Sequence, residues 1–335
     1  MRSHQLLVSS GSQNYWGNGS DGALNTTGDV SLASTLDGDM VVKQYTSLKI
    51  NAGHTLTVAN RCKGLVIYVH GDCTINGTLS MTARGANADA SAAGDPSGTA
   101  GLKFPRFTAN GTDVYTAPST TSLANAGAAV INTEANQKRI NGMGTVFTLA
   151  RTAGGAGGHG GGNGGFGGSG ALGTCFGGGG GGGGGGRDTG FYSVPGDNAA
   201  PNGGEGGRGN GGGGAGAGNP GGGTSVANSA GPSGTGAIGS AGTGGTIILI
   251  VKGRLIIGAT GKIESKGAAG GNSSSVQDNG GGGGGGAGGG AILILYAESF
   301  TNSGTIDASG GAGGVGHTNG ANGGAGAVQQ FQIKT

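Results

Sequence analysis

Apolar and polar residues alternate with period two at 48–58. Leu48, Ile50, Leu56 and Val58 are set off by Lys49, Thr55 and Thr57, and a turn signal sits at Asn51-Ala52-Gly53. This pattern predicts strand, turn, strand. Elsewhere the apolar positions run together, in Leu65-Val66-Ile67-Tyr68-Val69, Ile247-Ile248-Leu249-Ile250-Val251 and Ile292-Leu293-Ile294-Leu295, and such short β-branched runs predict buried strands. The runs belong to a repeat. Gly245-Thr246-Ile247 aligns with Gly290-Ala291-Ile292, and after a two-residue contraction Gly261-Lys262-Ile263-Glu264 aligns with Gly304-Thr305-Ile306-Asp307. A third copy starts at Leu65 and continues through Ile75-Asn76-Gly77-Thr78-Leu79-Ser80-Met81. Strands this short cannot bury a face alone, so the repeat predicts stacked coils, as in a β-helix. No segment carries a capped helical period; the Ala-rich stretch from Ser122 to Ile140 is the one place for a short helix.

Between the apolar runs the sequence turns to glycine. Tracts at 154–168, 177–186, 203–223, 280–290 and 310–326 alternate with inserts at 171–176, 187–202, 224–235, 272–279 and 315–322. Glycine makes up 90 of 335 residues and aromatics only 4%, so a core of large side chains cannot extend along the whole chain. Disorder is the usual reading of such a composition. Against it stand 7 prolines, a charged fraction of only 10% and the apolar runs between the tracts. Collagen needs glycine at every third position, which the unbroken glycines of 177–186 violate. Polyglycine can instead form an extended threefold helix rising ~3.1 Å per residue, and rods without side chains can approach until each N–H and C=O finds a neighbour. Each such bond contributes ~0.5–1.5 kcal/mol net, against ~0.5–1 kcal/mol of extra ordering cost for glycine relative to alanine. That margin calls for an apolar clamp, which the strand pairs at 246–257 and 291–300 are placed to supply.

The expected fold is therefore all-β: a stacked, β-helix-like N-terminal coil region followed by a polyglycine-II rod bundle clamped by β-strands. The corresponding division is an attachment region at 1–46, β-coils at 47–150 and a glycine-rich domain at 151–335.

Composition removes several function classes. A net charge of +2 spread over 18 basic residues leaves no basic stripe for nucleic acid. No apolar stretch approaches the ~20 residues of a membrane-spanning helix. The apolar stretch Leu6-Leu7-Val8 is too short for a secretory signal, so the chain either reaches the outside by another route, as part of a particle released by lysis would, or stays inside. Phosphate-loop patterns can be written many times in so much glycine, but none has the strand-then-helix context or the Gly-Lys-Ser/Thr ending. Aspartate is nearly absent from the tracts, against a calcium-binding β-roll. Asp37, Asp39 and Asp72 read as turn formers rather than paired catalytic carboxylates. His70 near Asp72 reads as a turn contact, and Cys62, Cys73 and Cys175 read as small buried apolar residues. No catalytic residue, metal ligand or cofactor is expected.

The inserts carry the remaining chemistry. Arg187-Asp188-Thr189-Gly190-Phe191-Tyr192 joins a guanidinium to two aromatics, with Phe176 close in sequence. Such residues anchor interfaces; they could equally plug the edge of a glycine bundle. Candidate receptor-binding residues are Arg187, Phe191, Tyr192, Phe176, Asn198, Gln277 and His317, all in or beside inserts, because loops on a rigid scaffold are where recognition sits.

With these tracts and inserts following Ile75-Asn76-Gly77-Thr78-Leu79-Ser80, residues 150–330 resemble the glycine-rich adhesin at the tip of the long tail fibres of some T-even-like bacteriophages. The stretch from Trp16-Gly17-Asn18-Gly19-Ser20-Asp21-Gly22-Ala23-Leu24 through Met81 resembles the opening of phage tail-fibre and other glycine-rich virion proteins. The resemblance implies a polyglycine-II sandwich whose inserts at 187–202, 224–235, 272–279 and 315–322 are specificity loops. The upstream coils are no part of that adhesin's pattern. The expectation is a non-enzymatic virion protein of the tail or surface that binds a bacterial receptor, protein or glycan. Its partners would be other virion proteins, in a homotrimer or other multi-copy assembly, with neither nucleic acid nor membrane insertion. A purely structural virion protein (head fibre, decoration or tail spacer) is the alternative, and a bacterial surface glycine-rich protein a third reading.

Overall fold

The computed structural model describes residues 16–38, 40–62, 64–86, 107–109, 112–115, 157–158, 214–217, 242–273 and 281–332. Their strands wind in successive coils of three. The first coil holds β1 (Ala23–Asn25), β2 (Val30–Leu32) and β3 (Val41–Tyr45); the second holds β4 (Ser47–Ile50), β5 (Thr55–Val58) and β6 (Leu65–Val69). The third begins with β7 (Cys73–Ile75) and β8 (Thr78–Ser80). A separate antiparallel pair, β9 (Phe107–Ala109) and β10 (Thr112–Tyr115), intervenes before β11 (Thr246–Val251) completes that coil. The fourth contains β12 (Arg254–Ile257), β13 (Lys262–Glu264) and β14 (Ala291–Tyr296), the fifth β15 (Ser299–Asn302), β16 (Thr305–Asp307) and β17 (Ala327–Gln332).

Stacking the coils gives three parallel sheets of five strands each: β1-β4-β7-β12-β15, β2-β5-β8-β13-β16 and β3-β6-β11-β14-β17. The fold is all-β and β-helix-like, with no helix among the described residues. The sequence repeat is the register of the stack: Ile247 pairs with both Ile292 and Leu65, and Ile263 with both Ile306 and Leu79. The two-residue contraction falls at a corner, where residues 258–261 of the fourth coil correspond to 303–304 of the fifth. The strands expected to clamp the glycine from outside are themselves coils of the same stack, and the sheets run across both 46/47 and 150/151. The Ser122–Ile140 stretch and the tracts at 159–213 lie outside the described residues.

In the first two sheets the inward positions are apolar and the outward ones mostly polar, Ile256 being an exposed apolar exception. Ile50 and Ile75 stack in the interior beside the exposed Lys49, and Leu56, Leu79 and Ile263 form the next ladder. Full burial of each such side chain contributes ~1.5–3 kcal/mol. The third sheet differs. Its outward residues Val66, Ile248, Ile250 and Leu295 are as buried as the inward Leu65, Ile247 and Leu249, and burial on both faces accounts for the continuous apolar runs. Near its start, residues 16–19 lie against this outer side: Trp16 is buried, Asn18 donates its N–H to Gln44 Oε1 at 3.0 Å, and a Cβ on Gly17 would strike Tyr68.

One corner receives all the long glycine segments. Chain passing from the second sheet to the third spans only 33–40 and 59–64 in the first two coils, but 81–245, 265–290 and 308–326 in the last three. The other corners are short turns, one of them closed by Gly53 at a φ of +82°.

Candidate functional site at the far end of the glycine segments

Segment 281–290 is buried along its entire length and lies at the centre of the glycine region. Gly284, Ala287 and Gly290 donate their N–H groups to the carbonyls of Gly271, Ala268 and Ser265. Gly283, Gly286 and Gly289 donate to Thr318, Ala321 and Gly324, while the carbonyls of Gly282 and Gly285 accept from Gly214 and Ala217. The carbonyls of Gly284 and Ala287 accept from Gly314 and Gly311. Each neighbour is thus addressed by every third residue. The contact is backbone against backbone, so a Cβ on Gly284 would overlap Ala215 O and one on Gly286 would overlap Gly311 O. Where methyls do fit, Ala217, Ala268 and Ala287 form a small apolar cluster with the half-buried Ala83 at its side.

The segments leaving the stack end together. Ser273 N–H donates to Val315 O at 2.8 Å, and Val315 N–H donates to Asn272 Oδ1 at 2.8 Å. His317 N–H donates to Gly281 O at 2.9 Å. Within the 308–326 excursion, Asn319 Oδ1 accepts from Gly316 and Asn322 Oδ1 from Gly313. Asn272 and Ser273, and Gly281 further along the chain, are therefore hydrogen-bonded neighbours of the insert at 315–322. His317 is exposed there beside Val315, which is 51% exposed. Of the other residues expected to bind, Arg187, Phe191, Tyr192, Phe176, Asn198 and Gln277 lie outside the described residues. Asn272, Asn319 and Asn322 were not singled out for this surface by sequence. The available signal was asparagine beside glycine at insert edges, which also marks any turn.

Among the described residues the ion pairs lie on the stack. Lys43 meets Asp21 at 2.9 Å, Arg61 meets Asp37 at 2.8 Å and Lys266 meets Glu264 at 3.1 Å, while Arg254 grips Asp72. The Arg254 guanidinium and N–H hold the Asp72 carboxyl below the usual carboxylate range, and the Lys43 ammonium with the Gln44 N–H does the same for Asp21. Asp72 is thus engaged across coils by Arg254, and Asp37, at a φ of 55°, sits in a turn with Arg61 as its partner. Burial raises the Cys62 and Cys73 thiols and pushes Tyr45 up to about 12, which leaves these groups protonated near neutrality. Among the described residues no group of three His, Cys, Asp or Glu side chains could hold a metal. Comparison with family models, with curated proteins and with solved structures finds no match to this chain.

Proposed function

We propose that the chain is a bacteriophage virion protein, a tail-fibre or tail-tip adhesin that binds a bacterial surface receptor through loops at the end of a glycine-rod bundle. The observation that carries this reading is the convergence of 272–273 and 315–319 at the end of the described glycine segments away from their strand roots. Loops on a stiff support at a molecule's extremity are suited to recognition. The three-residue period of the hydrogen bonds supports a polyglycine-II conformation for the segments, because a threefold helix turns every third N–H toward the same neighbour. On this reading the stack joins the bundle to other virion proteins, in a homotrimer or other multi-copy assembly on the tail or virion surface.

The test is adsorption. Virions carrying Phe191→Ala with Tyr192→Ala, or His317→Ala, should assemble normally and adsorb more weakly, with hot-spot losses of ~2 kcal/mol or more at whichever loop anchors the receptor. Normal adsorption by every assembled variant would favour a purely structural virion protein. One observation favours that second reading: Asn272, Asn319 and Asn322 all use their side-chain oxygens to accept backbone N–H groups of the 308–326 excursion, as loops that merely join rods would.

A further inference from the structure

We propose that the surface formed by Asn272, Val315, His317, Thr318, Asn319 and Asn322 takes an uncharged, hydroxyl-rich ligand, a neutral cell-surface glycan. The inference rests on the adhesin reading above and specifies its receptor. A carboxamide has an acceptor oxygen and an amino group with two donors. In Asn272, Asn319 and Asn322 the oxygen is committed to the N–H of Val315, Gly316 and Gly313, at 2.8, 3.1 and 3.0 Å. That bond fixes the plane of each amide and leaves its Nδ2 group, without a protein acceptor among the described residues, on an exposed side chain. The donors are oriented in advance, which lowers the ordering cost of binding.

Charge selects the ligand class. No lysine or arginine occurs between Lys266 and Lys334, and Asp278 is the one acidic residue of the 272–279 insert. Among the described residues of this surface an anionic polymer would find no lysine or arginine. A neutral sugar needs none: its hydroxyl oxygens accept from the amides, its hydroxyl protons can go to the Thr318 hydroxyl or the His317 ring, and its C–H face can lie on Val315.

The experiment uses the purified full-length chain, labelled, on a panel of Gram-negative and Gram-positive cells pretreated with periodate, which cleaves vicinal diols, or with protease. Binding is expected to be lost after periodate, to survive protease, and to stay within twofold between 50 and 500 mM NaCl, as contacts without ion pairing should. Asn272→Asp combined with Asn319→Asp keeps the oxygens that accept backbone N–H and removes the amino donors. This variant should melt with the parent and bind at least tenfold more weakly. Binding abolished by protease but not by periodate would overturn the glycan and leave the adhesin standing, with a protein receptor. Binding that falls steeply with salt, or a folded double variant that binds like the parent, would overturn the neutral-ligand site. Absence of binding to every cell type would overturn the adhesin reading as well.

Discussion

The strand stack and the glycine region are both held by hydrogen bonds between neighbouring passes of one chain, yet they treat a side chain in opposite ways. In the stack, parallel ladders set neighbouring strands at the usual sheet spacing and large side chains such as Ile50, Ile75, Leu79 and Ile263 fill the interior. In the glycine region the backbones themselves fill the interior. The carbonyls of Ala215 and Gly311 occupy the space a Cβ on Gly284 or Gly286 would need. One region is sensitive to losing methyl groups, the other to gaining them.

The largest effect should come from Gly284→Val or Gly286→Val. Separating two packed backbones breaks bonds on both sides, so we expect a loss of ~4 kcal/mol or more, read as insoluble protein or a much lowered melting temperature. A soluble Gly286→Val protein that melts with the parent would collapse the comparison. Next comes Ile263→Ala in the stack, expected to cost ~2–5 kcal/mol in urea unfolding, since both neighbours in its ladder, Leu79 and Ile306, lose contacts. Hydrogen exchange sharpens the point: the amides of Gly284, Ala287 and Gly290 should be as protected as those of Leu249 and Ile250, because all five are buried. Fast exchange confined to the three would show that the glycine region opens independently of the stack.

The smallest effect is electrostatic. Asp72 and Asp21 have carboxyl pKa values lowered by folding, through Arg254 and Lys43 respectively. The stability they contribute is present above the unfolded aspartate value of ~3.9 and lost as pH falls through the folded value. Stability of the parent should therefore decline on acidification below about pH 4, and Asp72→Asn with Asp21→Asn should flatten that decline. Since these pairs are substantially exposed, the difference should also shrink at high salt.

The stacking was legible where strands were long and repeated. The offset between Ile247 and Ile292 is the pairing register, because parallel coils of equal path length place equivalent residues side by side. The first coil was not legible. β1 and β2 have three residues each, too few to display a period, and Lys43 stands at the position that Ile67 occupies in the next coil. Its charge is satisfied by Asp21, a residue from the preceding turn. The inserts at 272–279 and 315–322 are visible in the sequence as interruptions of the glycine, and His317 lies in the second of them. That 272–273 and 315–319 meet was not visible, since it depends on which glycine segment lies beside which.

By itself the sequence determined that the described residues are all-β, that the apolar runs stack in register, and that the glycine admits no regular packing of large side chains. These follow from local properties: β-branched runs favour buried strands, and a residue without a Cβ permits backbone contact. Only the tertiary structure decided that every long glycine excursion leaves from one corner of the stack, that Leu65 lies beside Ile247, and that 281–290 forms the centre. Glycine segments have almost no side chains to distinguish one neighbour from another, so their partners are set by where the strands at their roots are anchored.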